Sequence, residues 1–104
     1  MSEIRIVYKH SPTCSLSAIA LEEMDRYRRA HPDPAVEQLD VFADRPACVA
    51  IETETGVRHE SPQVLVFVGG RVVWHASHRR VTADAVAAAV AQARHAADDR
   101  LTTG

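Results

Sequence analysis

The spacing of hydrophobic positions changes several times along the chain, and each change predicts an element. Ile4, Ile6 and Tyr8 alternate with Arg5 and Val7 in a short run rich in branched residues, which predicts a strand. Pro12 stops the pairing and predicts a turn. From Leu16 the spacing becomes helical. Leu16, Ile19, Ala20, Met24 and Tyr27 recur on one stripe, so a helix is expected from Leu16 to Arg29. Arg28 and Arg29 suit the negative end of its dipole. His31-Pro32-Asp33-Pro34 breaks that helix with a rigid turn, and Val36, Leu39, Val41 and Phe42 predict a second strand.

Asp44-Arg45-Pro46 reads as a helix start with proline in the first turn. Ala47, Ala50, Ile51 and Val57 offer its apolar face, and Gly56 is a natural C-cap. Gln63 to Val68 is an apolar strand expected to be buried on both faces. Gly69-Gly70 then predicts a two-residue primed turn, with Arg71 to His75 returning as the second strand of a hairpin. After Ser77-His78-Arg79-Arg80, Thr82 is placed to cap a last helix with Val86, Val90, Ala93 and Ala97 as its buried stripe. Residues 98–104 are expected to fray, leaving an ordered core from about residue 3 to 97. The order β-α-β-α-β-β-α predicts a single α/β domain over residues 1–104. Its mixed four-stranded sheet would hold a parallel pair and an antiparallel hairpin, with helices on both faces.

Composition narrows the functions rather than the fold. A chain of 104 residues can bury one modest core. Apolar residues at 46% and charged residues at 25% are ordinary for a soluble globular protein. A net charge of −2 gives no overall field favouring nucleic acid or an acidic membrane. No apolar run approaches the length of a membrane span, and the first residues lack the basic-then-apolar pattern of a secretory signal. Two cysteines make no disulfide framework, so reduced thiols and a cytoplasmic location are expected. Six histidines lack tight ligand spacing, and no metal site is assigned.

The candidate chemistry lies in Lys9-His10-Ser11-Pro12-Thr13-Cys14-Ser15-Leu16-Ser17, where a strand hands over to a helix. With Thr13 as N-cap, Cys14 would occupy the first turn. There the unpaired N–H groups and the helix dipole favour the thiolate, the reactive form. The plainer reading is a small residue packed at a helix start. Cys48, near the start of the second helix, is expected to pack. A resolving role for it would need its Cα within about 7 Å of that of Cys14.

Cys14 after the first strand and Pro62 before the third resemble the thioredoxin-like fold in its short, glutaredoxin-sized form. The match narrows further. Lys9-His10-Ser11, Thr13-Cys14 and Ser17 resemble the opening motif of the monothiol bacilliredoxin family. His59-Glu60-Ser61-Pro62-Gln63 and Trp74-His75-Ala76-Ser77-His78 match that family's segments before the third strand and after the hairpin. The similarity runs from about Ile4 to about Val90. The family usually has proline after the cysteine, where this chain has Ser15, and it commonly carries an extra strand and helix ahead of the active-site strand.

The resemblance implies a redox function tied to oxidative stress. Cys14 would take bacillithiol, the co-substrate, from mixed disulfides on client proteins. The second position of a dithiol pair is Ser17, so no disulfide can form within the motif, and exchange must run through a mixed disulfide with another molecule. Ser17 is expected either to donate a hydrogen bond to the sulfur or to serve as an ordinary first-turn residue. Pro62 is expected to be cis, leaving the N–H and C=O of Ser61 free for a bound backbone. Lys9, His10, Thr13, Ser61, Pro62 and His78 are the substrate-binding candidates. Arg58, His59, Arg79 and Arg80 add positive charge that would favour the carboxylates of bacillithiol. A monomer with no bound cofactor is expected. Two other readings stand beside this one. The first is a cluster-binding monothiol glutaredoxin, which Ser15-Leu16 in place of Gly-Phe argues against. The second is a non-enzymatic adaptor with an inert Cys14.

Overall fold

The structure, a computed structural model, describes the backbone of residues 3–103 and the side chains of residues 3–97. The elements follow the expected order: β1 (Ile4–His10), α1 (Ser15–Ala30), β2 (Val36–Asp40), α2 (Arg45–Thr55), β3 (Gln63–Val68), β4 (Arg71–Ser77) and α3 (Ala83–Thr103). A single 3₁₀ turn, His78–Arg80, joins β4 to α3. Residues 98–104 are expected to fray; the backbone stays helical to Thr103, and the side chains from residue 98 onward lie outside the described residues.

The sheet has the order β2-β1-β3-β4. β1 and β2 run parallel, and β1–β3 and β3–β4 are antiparallel. All six residues of β3 are buried, as the unbroken apolar run requires of a strand covered on both faces. One face carries Ile6, Tyr8, Val64, Val66 and Val68 against α1 and α3. The opposite face carries Val7, Leu65 and Phe67 against Ile51 of α2. Each fully buried branched side chain contributes on the order of 1.5–3 kcal/mol. The hairpin turns through Gly69 (φ 56°) and Gly70 (φ 85°), both left-handed as a primed turn demands. The expected stripe of α3 is buried in full, and Thr82 caps the helix by accepting the Ala85 N–H at 3.1 Å.

Three expectations are corrected. In α1 the buried positions are Ser17, Ala20, Met24 and Tyr27, whereas Ile19 is 60% exposed and Leu16 only half-buried. The stripe is rotated so that Ser17, a polar residue with a buried partner, faces inward. In α2 the inward residues are Cys48 and Ile51, three apart, and Ala47 and Ala50 face solvent. β2 stops at Asp40 instead of reaching Phe42. The Asp40 carboxylate accepts the N–H groups of Phe42 (2.8 Å) and Ala43 (3.0 Å) and folds the chain into a turn.

Tyr27 is 1% exposed, stacks on His31 at 4.8 Å, and its hydroxyl has no partner among the described residues. Tyr27→Phe removes an unpaired buried group and is expected to raise stability by about 1 kcal/mol. Urea denaturation checks this, and a loss of stability would show that the hydroxyl does have a partner.

Candidate functional site

The strand register places the site. Lys9 of β1 pairs with Gln63 of β3, and Gln63 pairs with Ser77 of β4. The loops that follow β1, precede β3 and follow β4 therefore leave the sheet at one end. Cys14, Ser61-Pro62 and His78 belong to those three loops. The Ser61–Pro62 peptide bond is cis, as is Asp33–Pro34. Ser61 lies beyond the last paired residue of β3, so its N–H and C=O stand outside the ladder.

Ser11 to Cys14 form a turn closed by the Cys14 N–H on the Ser11 carbonyl at 3.3 Å, with Pro12 in the position that favours its fixed φ. The N-cap of α1 is Cys14 itself, with extended geometry (φ −103°, ψ 128°), and this corrects the expectation of Thr13. Thr13 is exposed, and its Oγ1 lies 3.4 Å from Ser11 Oγ. The Cys14 carbonyl accepts the Ser17 and Ala18 N–H groups at 3.1 and 3.3 Å. Cys14 sits at the N-cap, but its thiol makes no capping hydrogen bond to the first turn of α1. It is partly exposed and unpaired with another cysteine. Ser15 becomes the first helical residue. The family's proline would fit there, since Cys14 already has the extended backbone that a following proline requires.

Ser17 does not bond to the sulfur. Its side chain is fully buried, and its Oγ accepts the Ser11 N–H at 3.1 Å. That bond ties the start of the turn to the first turn of the helix. Tyr8 adds a second tie, donating to the Ser17 carbonyl at 3.3 Å. The Tyr8 hydroxyl also lies 3.0 Å from His10 Nδ1, which holds the imidazole of His10 at the site. The Tyr8 phenol is pushed up to about 12, chiefly by burial, with Arg28 opposing and Asp25 and Cys14 adding smaller pushes. Sequence reasoning gave Tyr8 only a strand role. The available signal was that a buried tyrosine hydroxyl needs a polar partner.

Lys9 does not face a ligand. Strand alternation sends it to the α2 side of the sheet, opposite Tyr8, where it is fully buried. Its ammonium lies 3.1 Å from His59 Nδ1. Burial lowers the Lys9 pKa, and burial together with the Lys9 charge lowers that of His59. Cys48 is buried beside them on α2, and burial raises its thiol pKa although Lys9 pulls it down. It thus lies under the helix on one face of the sheet, while Tyr8 and α1, which carry Cys14, lie on the other.

The third loop is built around His78, which has φ 58°, the one positive φ outside glycine among the described residues. Its N–H donates to the Pro62 carbonyl at 2.8 Å, and its Nε2 lies 3.3 Å from Glu60 Oε2. A groove of about 510 Å³ opens here, lined by Leu16, Glu60, His75, His78, Arg79 and Arg80 among others. A second groove of about 460 Å³ continues along α1 past Leu16, Ile19 and Ala20. Arg58 and His59 do not line either groove. Among the described residues no cluster of three or more His, Cys, Asp and Glu could hold a metal ion.

A partly exposed cysteine at the N-cap of the first helix after a central strand, with a cis-proline loop at the same sheet end, defines a thiol oxidoreductase of the thioredoxin class. A solved structure described as a candidate oxidoreductase with a thioredoxin fold is 33% identical, with a TM-score of 0.75, covering 88% of this chain and 77% of that one. Mitochondrial thioredoxin 3 from Saccharomyces cerevisiae (11% identity, TM-score 0.66, 86% and 77% covered) shares the fold. So does thioredoxin f2 from Chlamydomonas reinhardtii (10% identity, TM-score 0.64, 86% and 77% covered). The family model of the monothiol bacilliredoxin BrxC matches residues 1–86, and the chain belongs to that family.

The Lys9–His59 pair makes stability depend on pH. A lysine ammonium can only donate, so His59 must present a bare Nδ1. Because the folded His59 pKa is lowered from 6.5, its stabilisation is complete above that value and is lost as pH falls through the lower folded value. The melting temperature is expected to drop between about pH 7.5 and 5.5, above the range where carboxylates titrate. His59→Asn, which keeps an acceptor and cannot titrate, is expected to flatten the drop. An unchanged drop in that variant would assign it to another group.

Proposed function

We propose that the protein removes bacillithiol from mixed disulfides on client proteins, with Cys14 as the nucleophile. The observation that carries this reading is the position of Cys14, a partly exposed thiol at the N-cap of α1, two residues before Leu16, which lines a groove that also carries Arg79 and Arg80. The Cys14 thiolate attacks the bacillithiol sulfur, the client–bacillithiol S–S bond breaks, and a Cys14–bacillithiol disulfide forms. The client leaves as its thiolate and takes up a proton from solvent. No net oxidation occurs in this step, and a second thiol then reduces Cys14 by the same exchange. Burial of Cys48 under α2 supports a single-cysteine route with the resolving thiol supplied from outside.

The groove supports the choice of thiol. Arg79, Arg80 and His75 offer donors to the carboxylates on the malate part of bacillithiol, and Leu16 offers an apolar wall. Ser61, outside the ladder, supplies an N–H and a C=O to a docked backbone, as an added strand would. His10 and Thr13 flank the thiol and His78 bounds the groove, so these remain the proposed substrate contacts, and Lys9 does not. The protein would act as a cytoplasmic monomer, where thiols are kept reduced. No helix among the described residues is long and apolar enough to cross a membrane.

The test offers one client protein as a bacillithiol and as a glutathione mixed disulfide. Thiol release is expected to be at least about tenfold faster from the bacillithiol adduct, equivalent to about 1.4 kcal/mol of discrimination. Cys14→Ala is expected to release neither. Equal rates for the two adducts would remove the bacillithiol assignment, and release by Cys14→Ala would remove Cys14.

A further inference from the structure

Glu60 is the one acid among the residues lining the groove that Leu16, two residues after Cys14, shares with His78, Arg79 and Arg80. Its Oε2 lies 3.3 Å from His78 Nε2. Hydrogen bonds from Ser77 and His78 hold its carboxyl below the usual carboxylate range, so it is charged at neutral pH. The backbone is built to keep this contact. His78 has the left-handed φ of 58° that a bulky residue rarely adopts, and its N–H is fixed on the Pro62 carbonyl at 2.8 Å. His78 therefore grips the Glu60-Ser61-Pro62 loop at two points, through its backbone at Pro62 and through its ring at Glu60. The remaining donor side chains of the groove, His75, Arg79 and Arg80, have no hydrogen bond or ion pair to Glu60.

We propose that Glu60 is the resident carboxylate of the groove and sets its charge selectivity: it occupies His78 and leaves Arg79, Arg80 and His75 to anionic groups of an incoming disulfide. This rests on Cys14 being the attacking thiol, as proposed above. A ligand with a carboxylate must compete with Glu60 for His78 and also feels its like charge, whereas a neutral disulfide feels neither. Glu60 is thereby a specificity-determining residue. It favours ligands whose anionic groups reach the two arginines and holds back small anionic disulfides that would bind at His78.

Two aryl disulfides separate the effects without bacillithiol. One is 5,5′-dithiobis(2-nitrobenzoate), with a carboxylate on each ring, and the other is neutral 4,4′-dithiodipyridine. Each reacts by the same step: the Cys14 thiolate attacks one sulfur, the S–S bond breaks, Cys14 keeps one aryl group as a mixed disulfide, and the other leaves as a coloured thiolate or thione. Glu60→Gln keeps the size and an acceptor for Ser77 but removes the charge. It is expected to speed the anionic probe about threefold to tenfold and to leave the neutral probe within about twofold, with the gain shrinking as salt rises. Arg79→Gln is expected to act oppositely, slowing only the anionic probe. Glu22→Gln, on the exposed surface of α1 outside the groove, is expected to change neither.

The proposal is overturned if Glu60→Gln alters both probes alike or neither, or if Glu22→Gln matches its effect. If the wild-type chain reacts with either probe no faster than Cys14→Ala, the thiol-exchange reading falls, and this one falls with it. A wild-type reaction that is intact but blind to Glu60 overturns the selectivity alone.

Discussion

The site depends on one buried hydrogen bond, from the Ser11 N–H to the Ser17 hydroxyl. Without it, the turn that carries Cys14 would be joined to α1 only by the Cys14 carbonyl on the Ser17 and Ala18 N–H groups. With it, the residue after β1 and the first turn of the helix are held as one piece, and Cys14 is fixed between them as the cap. An unpaired N–H at this depth costs about 1–3 kcal/mol, so the bond constrains the loop by what its absence would expose. Tyr8 reinforces it from the sheet, through its hydroxyl on the Ser17 carbonyl. The hydroxyl that replaces a second cysteine is thus the staple of the loop. The monothiol chemistry and the geometry of the loop come from the same residue.

That staple needs a rigid base, and β3 supplies it. A strand buried at every position cannot shift without exposing one face or the other, so the ends of β1, β3 and β4 keep their relative register. The register sets Cys14, Pro62 and His78 at one end of the sheet. The two faces then divide the polar groups. On the α1 side lie Tyr8, His10, Ser17 and Cys14, which serve the thiol. On the α2 side lie buried Lys9 and Cys48 and half-buried His59. The two cysteines belong to helices that cover opposite faces of the sheet.

Much of this was legible in the residues. The apolar run from Gln63 to Val68, the Gly69-Gly70 turn and the Thr82 cap each have a single physical solution, and all three formed as expected. Cys14 at the strand-to-helix handover was legible for the same reason. What was not legible depended on partners distant in sequence. Thr13 and Cys14 can both end a turn before a helix, and it is the Cys14 carbonyl that accepts the first helical N–H groups, from Ser17 and Ala18. Ile19 looked like a core residue until the inward turn of Ser17 rotated the stripe. Lys9 looked available to a ligand because the strand gives its face but not what covers it, and α2 covers it. Glu60 was legible only as part of the segment before the third strand, and its contact with the His78 ring depends on a residue 18 positions away.

The central claim is that folding, and not the cysteine alone, makes Cys14 reactive. Its most direct measure is the rate of alkylation by a neutral reagent at neutral pH, read separately for Cys14 and Cys48 by mass spectrometry, in the native chain and in denaturant. The account predicts that native Cys14 reacts faster than the same residue in the unfolded chain, while native Cys48 reacts far more slowly than when unfolded. Native Cys14 reacting no faster than unfolded Cys14 would contradict it.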